Sequence, residues 1–77
     1  MLRRVQTPED LGRAIRQARR AQNLTLADVA LAASTGVRFV SELERGKATA
    51  ELGRTFRVME VIGMHAFVDG DGIDADA

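Results

Sequence analysis

Between Leu24 and Lys47 the chain reads LTLADVALAASTGVRFVSELERGK, two short helical patterns on either side of a break. Leu26, Val29, Ala30 and Ala33 recur at i, i+3, i+4 and i+7, the spacing of one helix face. After Ser34-Thr35-Gly36 a second pattern turns Val40 and Leu43 inward and leaves Arg38, Ser41, Glu42 and Arg45 to other faces. A unit this short cannot cover its own apolar sides, so other helices must surround it. Two helices joined by such a turn are also the arrangement that carries one of them into the major groove of DNA.

The flanks supply candidates for those helices. Thr7-Pro8-Glu9-Asp10 is a strong helix start: Thr7 caps, Pro8 sits where a missing N–H costs nothing, and the acids suit the positive end of the helix dipole. Leu11, Ile15 and Ala18 form an inward stripe, with Arg13, Arg16, Gln17 and Arg20 outward. Arg19 falls four residues after Ile15, at the edge of that stripe, where a charge needs a partner. The first helix ends near Gln22-Asn23, and Leu24 plugs the connection. Thr25 caps the second helix with Asp28 three residues on, a shorter-armed capping box. The third runs from Val37 to about Arg45 and stops at Gly46. Thr49 is the candidate cap of a fourth, whose expected apolar face is Leu52, Phe56, Met59 and Ile62, ending at Gly63. Gly12 and Gly53 permit close packing at some cost in helix propensity.

The remaining segments read differently. Residues 1–6 form an extended arm that either frays or adds a strand. Met64-His65-Ala66-Phe67-Val68 is too short for a helix and apolar enough for a strand, which must pair. The economical partner is the same segment of a second subunit, giving a two-fold homodimer. Residues 69–77 alternate Asp with Gly and Ala and are expected to be a disordered acidic tail. This tail offers neither the bidentate Glu nor the following helix of an EF-hand.

At 77 residues the chain is one small domain. It has no cysteine, so oligomerisation rather than disulfides or a thiolate zinc site supplements the core. No apolar run approaches a membrane span and the start lacks a secretory h-region, which predicts a cytoplasmic protein. The formal net charge of zero conceals an asymmetry. Residues 1–57 carry all 11 bases against six acids, a balance of +5, and residues 58–77 carry five acids and no base, −5. A basic body with an acidic tail fits contact with a polyanion. His65, the single histidine, has no neighbouring ligand or base and reads as a seam residue. Met59 and Met64 read as gap-fillers. No nucleophile–base pair, phosphate loop or metal cluster is legible, so neither an enzyme nor a cofactor is expected.

The opening Leu24-Thr25-x-x-Asp28-Val29-Ala30, the turn Ser34–Gly36 and the closing Ser41-x-x-Glu44-Arg45-Gly46-Lys47 together resemble the lambda-repressor-like, XRE-type helix-turn-helix family over residues 11–63. Thr7-Pro8-Glu9-Asp10-Leu11 before the first helix and a strand after the fourth look most like HipB-type antitoxins. The resemblance implies an all-α, four-helix domain over residues 7–63, a short dimer strand at Met64, His65, Ala66, Phe67 and Val68, and a palindromic double-stranded DNA operator. It also implies a repressor role with a HipA-type serine/threonine kinase toxin as partner. By the same resemblance Gly36, Val37, Arg38, Ser41 and Glu42 face base edges, with Arg38 suited to guanine O6 and N7 and Val37 to apolar contact alone. Phe39 is either core or a second apolar contact. Thr25, Arg45, Lys47 and the basic face of helix one meet phosphates, and Arg19 with Glu44 forms a partly buried ion pair between helices one and three. Three positions depart from the family pattern. Leu26 stands where a phosphate-binding Gln is usual, Ser34 where Gly is usual, and Gly36 where a capping Ser is common. The competing readings are a protein-interaction module with an incidental basic surface and a free-standing phage-type repressor.

Overall fold

The computed structural model describes residues 2–73. Four helices follow in order: α1 (Pro8–Ala21), α2 (Leu26–Ala32), α3 (Val37–Glu44) and α4 (Leu52–Val61). Each contributes one fully buried β-branched side chain, respectively Ile15, Val29, Val40 and Val58. Burying each such side chain stabilises the fold by ~1.5–3 kcal/mol, and their stiff rotamers help fix a single packing. Ala30, Ala33, Leu43, Met59 and Ile62 complete the core, with Leu11, Leu24, Leu26, Phe39 and Met64 packed on its rim.

Local chemistry sets the boundaries. Thr7 accepts from the Asp10 N–H while the Asp10 carboxylate accepts from the Thr7 N–H, and Thr25 and Asp28 repeat this box at α2. Asn23 (φ 58°) and Ser34 (φ 55°) turn the chain in the left-handed region after α1 and α2. Gly46 does so after α3 at φ 88°, and a Cβ there would lie 2.8 Å from the Glu9 Cα, so glycine is required twice over.

The fourth helix departs from expectation. Its cap is Glu51, not Thr49; the Glu51 carboxylate accepts from the Gly53 and Arg54 N–H groups. Its inward face is Thr55, Val58, Met59 and Ile62, an i, i+3, i+4, i+7 stripe. Leu52 (64% exposed) and Phe56 (49%) lie on the flank beside it. The two stripes share Met59 and Ile62; Thr55 escapes a hydrophobicity count because it is polar, yet burial is tolerated because its hydroxyl donates to the Glu51 carbonyl at 2.8 Å.

Residues 64–68, expected as a strand, follow α4 in irregular conformation, and no strand is present among the described residues. A strand needs a neighbour for its backbone groups, and the pairing expected here belongs to a second subunit. The arm is exposed and unpaired over residues 2–5; at its end the Gln6 N–H donates to Asp10. Of the acidic tail, residues 69–73 include a turn at Asp71-Gly72, and 74–77 lie outside the described residues. No helix among the described residues is long and apolar enough to cross a membrane.

Candidate nucleic-acid interface

The third helix is held from behind. Arg19, on α1, donates through Nε and Nη2 to the two oxygens of Glu44 at 2.6 and 3.0 Å, and through Nη1 to the Leu24 carbonyl at 2.8 Å. Both side chains are nearly closed to solvent, at 11% and 6% exposure. The hydrogen bonds to the Glu44 carboxylate raise the Arg19 pKa above its ordinary value, so the guanidinium stays charged despite its burial. This fork ties α1, the α1–α2 connection and the end of α3 together. Beside it the α1 backbone comes down onto α3 at Gly12, where a Cβ would sit 2.5 Å from the Glu44 carbonyl oxygen. No larger residue permits that approach.

With its rear face anchored, α3 turns its other side outward. Gly36 is its N-cap and lends no side chain to the first-turn N–H groups, leaving them open at the tip. Val37, the first helical residue, is 46% exposed, and the Arg38 side chain is 90% exposed. Ser41 and Glu42, farther along, are half-buried. The Glu42 carboxylate lies between two cations, with Oε2 3.8 Å from Arg38 Nε and Oε1 3.4 Å from Lys47 Nζ. Glu42, Arg45, Gly46 and Lys47 line one shallow depression at the far end of the helix.

Thr25 is exposed at the start of α2, its hydroxyl oxygen accepting from the Asp28 N–H at 3.0 Å. That bond uses a lone pair and leaves the hydroxyl proton free to donate. Leu26 packs on the rim of the core, so its substitution for a polar residue is accommodated by burial. Phe39 is likewise partly buried against the core, with the Arg54 guanidinium 5.9 Å over its ring. It is a packing residue. On α1, Arg13, Arg16 and Arg20 are exposed, and Arg13 pairs with Asp10 at 2.6 Å.

Met64 packs against the core, whereas His65, Ala66, Phe67 and Val68 are exposed, Phe67 and Val68 by 75% and 78%. Phe56, Met59, Glu60, Met64, His65 and Ala66 line an open groove beside them.

Two clamps have no counterpart in the sequence reading. Arg57 Nε donates to the Ala33 carbonyl at 3.1 Å, closing the end of α2 and holding it to α4. Gln22 Nε2 donates to the Ile62 carbonyl at 2.8 Å, joining the ends of α1 and α4. Polar side chains reaching to backbone carbonyls 24 and 40 residues away leave no local signal.

Comparisons with known proteins agree with this arrangement. A helix-turn-helix family model matches residues 15–66. An uncharacterised HTH-type transcriptional regulator, y4mF of Sinorhizobium fredii, is 40% identical over 63 residues, covering 82% of this chain and 83% of the relative. Among solved structures, a HipB–O4 20mer complex has a TM-score of 0.83 at 14% identity, covering 91% of this chain and 99% of that one. A second HipB complex, of a variant with an O2 20mer, has a TM-score of 0.84 at 15% identity, covering 92% and 99%. At such identities the solved structures speak to the fold alone, and they agree with a four-helix domain. The family model and the sequence relative settle the membership: the chain belongs to the XRE-type helix-turn-helix family.

Proposed function

We propose that the protein is a sequence-specific DNA-binding transcriptional repressor that works as a symmetric dimer, with α3 of each subunit in the major groove. The observation that carries this reading is the division of α3 into two sides. Its rear is locked by the Arg19–Glu44 fork, while its tip projects the exposed Val37 and Arg38 beside Ser41. Arg38 matches guanine O6 and N7, and Val37 matches a thymine methyl. Thr25, Arg45, Lys47 and the arginines of α1 would fix the domain on phosphates without reading sequence. The relatives are consistent with this role, one being an HTH-type regulator and two being HipB complexes.

Exposed Phe56, Phe67 and Val68 and the groove lined by Met59, Met64 and His65 support a dimer through residues 64–68, since a monomer leaves this apolar surface wet. The operator is then a palindrome with half-sites about 34–36 Å apart. The finer role is that of an antitoxin that represses its own operon and holds a HipA-type serine/threonine kinase inactive. The Thr7–Leu11 pattern and the fold shared with HipB support it.

Hydroxyl-radical footprinting on the DNA upstream of the gene tests the core of this reading. Two protected patches one helical turn apart are expected. Equal, weak protection of scrambled DNA would leave a protein-interaction module instead. A kinase whose activity falls on mixing with the protein is the expected partner; an adjacent operon without one would favour a free-standing repressor.

A further inference from the structure

We propose that Glu42 is a positioning residue that presents the Arg38 guanidinium end-on to a guanine, rather than a reader of a base itself. The inference rests on the DNA-reading function proposed above and deepens it. Both Glu42 oxygens face cations: Oε2 lies 3.8 Å from Arg38 Nε, and Oε1 lies 3.4 Å from Lys47 Nζ. A carboxylate engaged on both sides is poorly placed to accept from a cytosine amino group, the contact an acidic side chain makes in the major groove. Arg38 and Glu42 sit one helical turn apart, where side chains meet along the same face.

The Glu42 carboxylate approaches Arg38 from its Nε side. That leaves Nη1 and Nη2, the distal pair of the fork, without a hydrogen bond among the described residues. Two parallel N–H donors are what guanine O6 and N7 require. Arg38 is otherwise 90% exposed, so without a neighbour it would lose most of its rotamer freedom on binding. Glu42 is anchored better, at 27% exposure with Lys47 on its other oxygen, and can bias Arg38. In water such a pair is weak. In a groove emptied of water the same charges interact more strongly, so the bias grows as the complex forms. Lys47, pulled toward the depression beside Arg45 and Gly46, would then reach a phosphate from a fixed position.

Selection from a randomised duplex library by the full chain, its Arg38→Ala and Glu42→Ala forms and the double variant tests the proposal. The wild type is expected to enrich a site with one guanine per half-site that Arg38→Ala no longer prefers. Glu42→Ala is expected to weaken preference at that same position and no other. On the enriched duplex, affinity should fall about 10–100-fold for Arg38→Ala and about 3–10-fold for Glu42→Ala, with little further loss in the double variant. Glu42→Gln, which keeps the shape and removes the charge, should behave like Glu42→Ala. An undiminished guanine preference in Glu42→Ala, with tighter binding to selected and random duplexes alike, would make Glu42 only a repelling charge. A lost preference at a base that Arg38→Ala leaves alone would make it a base reader. Either result overturns the proposal while sparing the DNA-reading function. If the wild type enriches nothing, that function falls and the proposal with it.

Discussion

Glu44 and Arg19 are the residues on which the placement of α3 turns. Two charges this enclosed cost much to desolvate, and their mutual hydrogen bonds offset that cost only while both are present. Glu44→Ala is therefore expected to destabilise the fold by about 3–5 kcal/mol, since it strands the guanidinium. Replacing both by apolar residues of similar volume should cost far less. Thermal unfolding of the single and double variants measures this, and equal losses in the two would show that the cost is not an unpaired charge. Gly12 makes the same point sterically. Glycine-to-alanine in a helix normally stabilises by about 1 kcal/mol. Here the new Cβ would meet the Leu43 and Glu44 carbonyl oxygens at 2.6 and 2.5 Å. Gly12→Ala should instead lower stability by about 1–3 kcal/mol, by forcing α1 away from α3.

Three of the four helices start on a carboxylate that the backbone holds. Asp10 accepts chiefly from the Gln6 N–H, Asp28 from that of Thr25, and Glu51 from those of Gly53 and Arg54, and each pKa is lowered accordingly. A group whose folded pKa is depressed binds fewer protons in the native state. Its contribution is complete above its unfolded value, about pH 4, and is lost as pH falls through the folded one. Chemical denaturation followed from pH 7 to pH 3 should show stability steady down to about pH 5 and then declining. A flat profile through pH 3 would mean the caps carry no net stability. The box at α2 was visible in the sequence because Thr25 and Asp28 lie three residues apart; at α1 the Thr7 cap was visible, but the reciprocal bond from Asp10 was not. At α4 that locality misled: Thr49 looks like a cap, but the Glu51 carboxylate reaches the first-turn N–H groups. Its inward face was half legible, because Met59 and Ile62 fit a stripe with Leu52 and Phe56 as well as one with Thr55 and Val58. Only the packing of α2 against α4, clamped by Arg57 on Ala33, decides between them. The turn unit was legible almost whole, since its pattern is short-range and its apolar positions have a single consistent period.

At the scale of the whole molecule, a basic body carries exposed cations on α1 and α3, and apolar surface remains open from Phe56 to Val68. Dimerisation through residues 64–68 would cover the second and pair the first as two-fold related readers. Removing residues 64–77 should leave the four helices folded by circular dichroism and the protein monomeric by analytical ultracentrifugation; an unchanged dimer would move the interface elsewhere. Salt-dependent binding measures most directly whether the outer side of α3 reads sequence. Wild type and Arg38→Ala would be titrated with the DNA upstream of the gene and with a scrambled duplex. Tight binding to the first only, a steep decline with salt, and loss of the preference in Arg38→Ala with most of the salt dependence kept are expected. Weak and equal binding to both duplexes, unchanged by Arg38→Ala, would contradict sequence reading by α3 and reduce the basic body to a polyelectrolyte surface.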